Sequence, residues 1–374
     1  MNKNDKTFDI LTILRISYRA LKNQSPSKNS NVHNEQELVY HFRELLRKDP
    51  DLVWADFQAY NHHEYGDDLV RLQLDGKSLE YQIEFRLKPS IPELDQIRAQ
   101  KSRGNLLLVA PNLTDRVLQF CKEKHFSCID LNGRAWLRAK GLLIDRQALP
   151  GRSFNHQLEP RNIFGGKSGR IVRSLLTGKD QIWTQAELVK RTHASSGMVS
   201  RLVQYLVTQS YLEKLSAREY RLQDFDGLLD EWCRADKFRE RCSTAFYAGP
   251  IGEIFNLART LQNWSESKSV KIAFTQWFAA YQRHPYTEPA ICSAYVQRLP
   301  DAATLESLGL RPVEEGGKVW LHVPKDDGVF IETQSSENLT LTTDAQIYVD
   351  LKNTGLRGPD AAHALREWEE FCRK

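Results

Sequence analysis

SGRIVRSLLTGKDQIWTQAELVKRTHASSGMVSRLVQYLVTQSYLEKLSAREYRLQ, residues 168–223, is the stretch on which the reading of this chain turns. Arg170–Leu176 carries Ile171, Leu175 and Leu176 at helical spacing, which predicts a first helix with those three facing inward. Thr184-Gln-Ala-Glu187 is a capping box: the threonine hydroxyl can accept the third amide of a helix while the glutamate reaches back to the threonine amide. It predicts a short second helix over Gln185–Arg191. Thr192–Ala194 then turns the chain, and Ser195 caps a third helix running to about Gln209.

On that third helix Val199, Leu202, Val203 and Leu206 follow the i, i+3, i+4, i+7 rule and must face a core. The opposite face carries Ser196, Ser200, Arg201 and Gln204, short hydrogen-bonding groups plus one arginine, a set that suits a DNA major groove. Tyr211–Leu215 and Glu219–Leu222 can pair as a hairpin, with Arg218 and Arg221 able to reach phosphates. The run THASSGMVSRLVQYLVTQSYLEK resembles the winged helix-turn-helix of transcriptional regulators of the MarR and IclR type. That resemblance implies double-stranded DNA as partner, the third helix in the major groove, and a homodimer. The candidate DNA contacts are Arg170, Ser195, Ser196, Ser200, Arg201, Gln204, Arg218 and Arg221. The alternative is the same fold serving as a protein contact or dimer module.

Charge agrees with the DNA reading once it is divided along the chain. The whole carries a net +4, which says little about partners. Residues 150–222 hold twelve Lys/Arg against five Asp/Glu, a net +7, whereas 301–374 hold eight against fourteen, a net −6. A hydrophobic share of 41% and a charged share of 27% exclude a disordered chain, a collagen-like repeat and a disulfide-knotted miniprotein. The six cysteines form no CxxC pair, so neither a disulfide framework nor a zinc site is expected, and His62-His63 reads as a surface pair. The start lacks a signal peptide's apolar core, and no run approaches the roughly 18–20 apolar residues that cross a bilayer. A cytoplasmic protein with no membrane partner is expected.

Three hundred and seventy-four residues suggest several domains. Residues 1–34 hold an expected helix, Phe8–Leu21, and a polar linker from 23 to 34; the helix can cap the domain behind it or meet a second subunit. Residues 35–149 read as α/β, with a helix over Glu37–Leu46, strands over Leu69–Leu74 and Leu79–Phe85 joined by Asp75-Gly76, and a helix over Leu94–Lys101. Strand, helix and strand then follow at Asn105–Ala110, Asp115–Lys124 and Ser127–Leu131, which demands at least one parallel pair. Residues 150–168 read as a linker, 169–223 as the winged helix and 224–374 as a C-terminal α/β module. In that module a helix is expected over 225–240, strands near 270–278, 291–297, 319–323 and 328–332, and a helix over 359–372. The fold class is thus multidomain α/β plus winged helix.

Residues 37–137 resemble the PD-(D/E)xK nuclease superfamily in outline. A nuclease site of that kind needs converging carboxylates on a divalent metal and a lysine to polarise water. The candidates are Glu37, Asp68, Glu84 and Arg86. Arg86 stands where the family expects lysine; it cannot release its proton, and Lys88 is followed by Pro89, so the site reads as degenerate. The bland alternative is an edge-strand ion pair of Glu84 with Arg86. No resident cofactor or metal is expected, with Mg²⁺ entering only if the site is active.

The IEFR strand (83–86), the 106–138 strand–helix–strand, the 162–176 linker, the winged helix and the tail LTTDAQIYVDLKNTGLRGPDAAHALREW (341–368) together resemble the AbiEi-type antitoxin family of transcriptional regulators. The resemblance implies operator binding, a possible toxin partner and a C-terminal module somewhat like nucleotidyltransferases. Better-known members carry the winged helix at the N-terminus, unlike this chain. Neither the Tyr247–Gly252 stretch nor Asp326-Asp327 supplies nucleotidyl-transfer chemistry. Trp264, Trp277 and Trp320 read as core or interface residues, with base stacking as the alternative. The expected function is a DNA-binding repressor or mobile-element regulator; the rivals are a metal-dependent nuclease delivered by its winged helix and a plasmid replication or transfer factor.

Overall fold

The computed structural model describes residues 32–48, 68–74, 77–100, 105–139, 142–149, 154, 162–249, 254–355 and 357–373. The helix expected over Phe8–Leu21, the Asp75-Gly76 turn and most of the 150–168 linker lie outside them. The chain divides into two compact units, Met1–Glu159 and Pro160–Lys374, each mixed α/β. Among the described residues no helix is long and apolar enough to cross a membrane.

The first unit runs α1 (Glu35–Lys48), β1 (Asp68–Leu74), β2 (Lys77–Phe85), α2 (Ile91–Gln100), β3 (Asn105–Ala110), α3 (Asp115–Glu123), β4 (Ser127–Asp130), β5 (Ala135–Ala139) and β6 (Leu142–Arg146). Its six strands lie in sequence order. Strands β2, β3 and β4 are parallel, as the strand–helix–strand reading required, and antiparallel hairpins flank them. Leu106–Ala110 are all buried, because a central parallel strand is covered on both faces. Pleating sends Tyr81, Ile83, Phe85, Leu107 and Val109 to one core with Leu38, Phe42 and Leu45 of α1. Leu106, Leu108 and Cys128 join α2 and α3 in a second core on the other face.

The second unit begins with α4 (Gly166–Thr177), β7 (Ile182–Thr184), α5 (Gln185–Thr192), α6 (Ser196–Thr208), β8 (Leu212–Lys214) and β9 (Glu219–Leu222). It continues with α7 (Phe225–Ala235), α8 (Phe238–Arg241), β10 (Cys242–Ala248), α9 (Ile254–Ser267), β11 (Ile272–Thr275), α10 (Gln276–Arg283) and β12 (Cys292–Val296). The remaining elements are α11 (Ala302–Ser307), β13 (Arg311–Val313), β14 (Val319–Pro324), β15 (Gln334–Ser336), β16 (Leu339–Leu341), α12 (Asp344–Lys352) and α13 (Gly358–Glu367). A small antiparallel sheet has the order β7-β9-β8, and a mixed seven-stranded sheet the order β13-β10-β14-β12-β11-β16-β15.

Residues 169–223 and 224–374, separate parts in the sequence reading, share one hydrophobic core that joins Leu175, Leu202, Leu228, Leu261, Phe274 and Ile347. Helix α12 lies inside it, with Asp344–Leu351 all buried. Part of the expected linker is also folded: Ile163 is buried and α4 starts at Gly166. Two expectations need correction. The strand over 328–332 is instead a 3-10 turn, Asp327–Phe330, because the Asp326 carboxylate accepts from the Gly328 amide and holds the chain in a local loop. The helix over 225–240 breaks after Ala235, where Asp236 turns its carboxylate to Arg241.

Candidate nucleic-acid interface

The capping box at the start of α5 is formed: Thr184 Oγ1 accepts from the Glu187 amide at 3.2 Å, and Glu187 Oε2 accepts from the Thr184 amide at 2.8 Å. At the other end His193 ends α5 in a left-handed conformation, φ +54°, which turns the chain within three residues. Ser195 then caps α6 by accepting from the Met198 amide at 3.4 Å. Val199, Leu202, Val203 and Leu206 are buried, so the remaining face of α6 is fixed by helical geometry.

That face is exposed: Ser195, Ser196, Ser200, Arg201 and Gln204 all reach solvent on it. Arg201 has no ion-pair partner among the described residues. A Cβ on Gly197 would meet only the Arg201 guanidinium, at 3.7 Å, so nothing bulky covers it. On the small sheet, β9 pairs β7 and β8 in the registers Thr184↔Glu219 and Lys214↔Tyr220. The sequence reading did not anticipate β7. Arg218 is exposed in the loop between β8 and β9, and Arg221 is half exposed, bonded to Glu213 at 2.6 Å.

Arg170 is placed differently. Its guanidinium grips Asp326 with two 2.8 Å bonds and is 14% exposed, so its charge is answered inside the unit rather than offered to a phosphate. Arg191 lies 3.0 Å from Glu332 and stacks over buried Trp183. Arg173 donates to Gln346 Oε1 at 2.7 and 3.0 Å, and burial pulls its guanidinium down to about 10. The acidic tail therefore neutralises part of the basic block directly. Exposed positive charge remains at Lys167, Lys190, Arg201, Lys214 and Arg218. The sequence reading singled out neither Gly197 nor the three lysines; the signal for the lysines was the charge count itself.

Glu37 and Glu84 of the expected acidic set are not brought together. Glu37 sits in the first turn of α1, where its carboxylate reaches back to accept from the His33 amide at 2.8 Å and the Asn34 side-chain amide at 3.1 Å. Helix α1 packs on the Ile83/Phe85 face, whereas Glu84, between those residues, belongs to the other face. Asp68 is paired in register with Ile83, one residue out of step with Glu84. Arg86 does bond Glu84, at 2.9 Å, but also Glu93 at 2.7 Å, and β2 is an interior strand rather than an edge. Among the described residues no group of three or more His, Cys, Asp or Glu is placed to hold a metal. In the same unit Asp130 accepts from the Leu113 and Arg134 amides, and burial pushes its carboxyl up to about 6.

No family model, curated protein or solved structure matches this chain.

Proposed function

We propose that the chain is a sequence-specific double-stranded DNA-binding regulator that reads the major groove with α6. The observation that carries this reading is the open face of α6, where serines, Arg201 and Gln204 stand exposed on a helix whose other side is locked into a core. A rigidly seated helix with short polar side chains and an unopposed arginine suits base-edge contacts. In this reading α4, α5, α6 and the small sheet form a winged helix-turn-helix, the β8–β9 hairpin is the wing, and Arg218 and Arg221 meet phosphates. A homodimer would set two such helices about 34 Å apart, so a two-fold symmetric operator is expected. The resemblance to AbiEi-type antitoxins gives the specific form: repression of the chain's own operator, with a toxin as possible partner. The separation of Glu37 from Glu84 gives the nuclease alternative no support.

The test is selection of bound fragments from genomic DNA followed by gel retardation. Arg201→Ala is expected to weaken binding to the selected site by about 1–3 kcal/mol and to relax preference at one base pair. Retardation that is unchanged in an Arg201→Ala/Gln204→Ala double variant would refute the docking scheme.

A further inference from the structure

One short acidic segment of the second unit lies against the two helices that precede α6. The 3-10 turn Asp327–Phe330 is anchored by Val329, buried with Cys242 of β10 and Tyr295 of β12, and the Val329 carbonyl accepts from Thr342 Oγ1 at 3.2 Å. Gly328 packs on α4 so closely that a Cβ there would lie 2.6 Å from Arg170 Cγ and 2.8 Å from Arg173 Nη1. On either side of the turn, Asp326 meets Arg170 of α4 and Glu332 meets Arg191 of α5. Both arginines border the bend into α6: Arg170 Nη1 donates to the Thr192 carbonyl at 3.5 Å, and Arg191 directly precedes Thr192.

The two pairs are unlike. Asp326 takes two 2.8 Å bonds from Arg170 and a third from the Gly328 amide, so it is fixed from both sides. Glu332 is held by charge alone. Its side chain is 6% exposed and Arg191 Nε lies 3.0 Å away, yet neither carboxylate oxygen accepts an aligned hydrogen bond from a described residue. Its backbone is left-handed, φ +61°, a conformation that a glutamate adopts at a cost. Arg191 is 37% exposed, and the one hydrogen bond it makes among the described residues runs to Gln181 Oε1 at 3.5 Å.

We propose that Glu332 is an autoinhibitory stand-in for a DNA phosphate: it occupies Arg191 in the free chain, and duplex binding exchanges that carboxylate for a phosphate of the backbone. The proposal rests on the reading of α6 as the helix in the groove. In that reading α5 crosses the DNA backbone, and Arg191 lies in its last turn between exposed Lys190 and the bend that holds exposed His193. A guanidinium fork fits carboxylate and phosphate alike. A poorly aligned internal partner therefore yields to a well-aligned external one, whereas Arg170, doubly bonded to Asp326, stays where it is. The pair with Glu332 must be broken before DNA gains Arg191, so it lowers affinity for every duplex.

Gel retardation of the full chain on the selected duplex and on an unrelated one tests this. Glu332→Gln is expected to bind both about fivefold more tightly than wild type, because one ion pair no longer has to be broken. Adding Arg191→Ala to Glu332→Gln is expected to remove that gain. Glu332→Gly suits the left-handed backbone and gives a second variant, with the same expected gain, should Glu332→Gln not fold. A merely structural ion pair predicts a lower melting temperature and no gain in affinity. The proposal is overturned if wild type binds and the Glu332 variants bind no more tightly, or if the gain persists in full without Arg191, which would make it lost repulsion. Binding by no form of the chain overturns the reading of α6 as well, so the two failures are told apart by wild type.

Discussion

Arg86 in the first unit and Arg201 in the second both stand where function was expected, and their surroundings differ in kind. The Arg86 fork bonds Glu84, Glu93 and the Phe85 carbonyl, so its donors and its charge are answered within the fold. Arg201 projects from an exposed helix face and keeps both. A guanidinium cannot shed its proton to escape a bad environment, so its partners decide its role. Closed by carboxylates it holds elements together; left open it is available to an anion or a base edge. Arg241 is the extreme of the closed kind, shared by buried Asp236 and Asp350.

The hardest test of the closed class is therefore Asp350→Ala. The carboxylate accepts from Arg241, Thr275, Tyr295 and Gln346 in full burial, and its loss strands a charge and three neutral donors. A cost of about 3–5 kcal/mol is expected, a fall on the order of 10 °C in melting temperature for a unit of this size. A fall of only a degree or two would mean that the network holds little of the second unit together.

The next effect exchanges the two arginines. Arg86→Ala is expected to lower stability by about 1–2 kcal/mol, since buried Glu84 loses an ion-pair partner, and to leave DNA retardation alone. Arg201→Ala is expected to do the reverse, because an exposed side chain with no ion-pair partner contributes little to folding. Chemical denaturation and gel retardation on both proteins read the exchange. A DNA defect in Arg86→Ala would erase the distinction.

The same contrast explains what the sequence could reveal. The third helix was legible because its evidence is local: Ser195, the buried Val199–Leu206 set and the exposed Ser196–Gln204 set all lie within fifteen residues, where 3.6-residue geometry alone fixes direction. The acidic set was not, because Glu37 and Glu84 meet or miss according to the face each occupies, and only the packing of α1 decides that. Arg170 misled for the same reason, since its partner lies 156 residues away. Helix α12 escaped notice because it is buried all round and has no amphipathic period, although Thr343 caps it as a sequence signal should. Helix α9, by contrast, shows apolar positions at Ile254, Leu257, Ala258 and Leu261 and was there to be found.

Buried titratable groups also differ between the units, with opposite sign. Asp130 has its folded value raised from 3.8 to about 6, chiefly by burial. The stability it contributes is fully present below 3.8 and is lost as pH rises through 6. Burial lowers His322 from 6.5 to about 3, so its contribution is present above 6.5 and is lost as pH falls toward 3. Each group should give a slope approaching about 1.4 kcal/mol per pH unit inside its window. The two windows overlap with opposing slopes, so in denaturant titrations from pH 3 to 8 stability should rise more steeply with pH in Asp130→Asn than in wild type, and should fall with rising pH between 3.8 and 6 in His322→Gln. Identical profiles in wild type and both variants would count against these burial effects.

The smallest effect probes the boundary between closed and open arginines. Arg221 is half exposed and bonded to Glu213, the residue across from it on β8. An exposed pair of this kind is worth about 0–1 kcal/mol, so a phosphate can displace the carboxylate at modest cost. Glu213→Gln removes the competitor and the repulsion toward DNA while keeping the strand's shape. Affinity for every duplex, selected or not, is expected to rise a few-fold at low salt, with the gain shrinking as salt increases. Arg221→Ala should lower affinity on all sequences and reduce the salt slope by about one. If Glu213→Gln leaves affinity unchanged while Arg221→Ala still lowers it, Arg221 meets the backbone without first leaving Glu213, and it belongs with Arg201 rather than between the two classes.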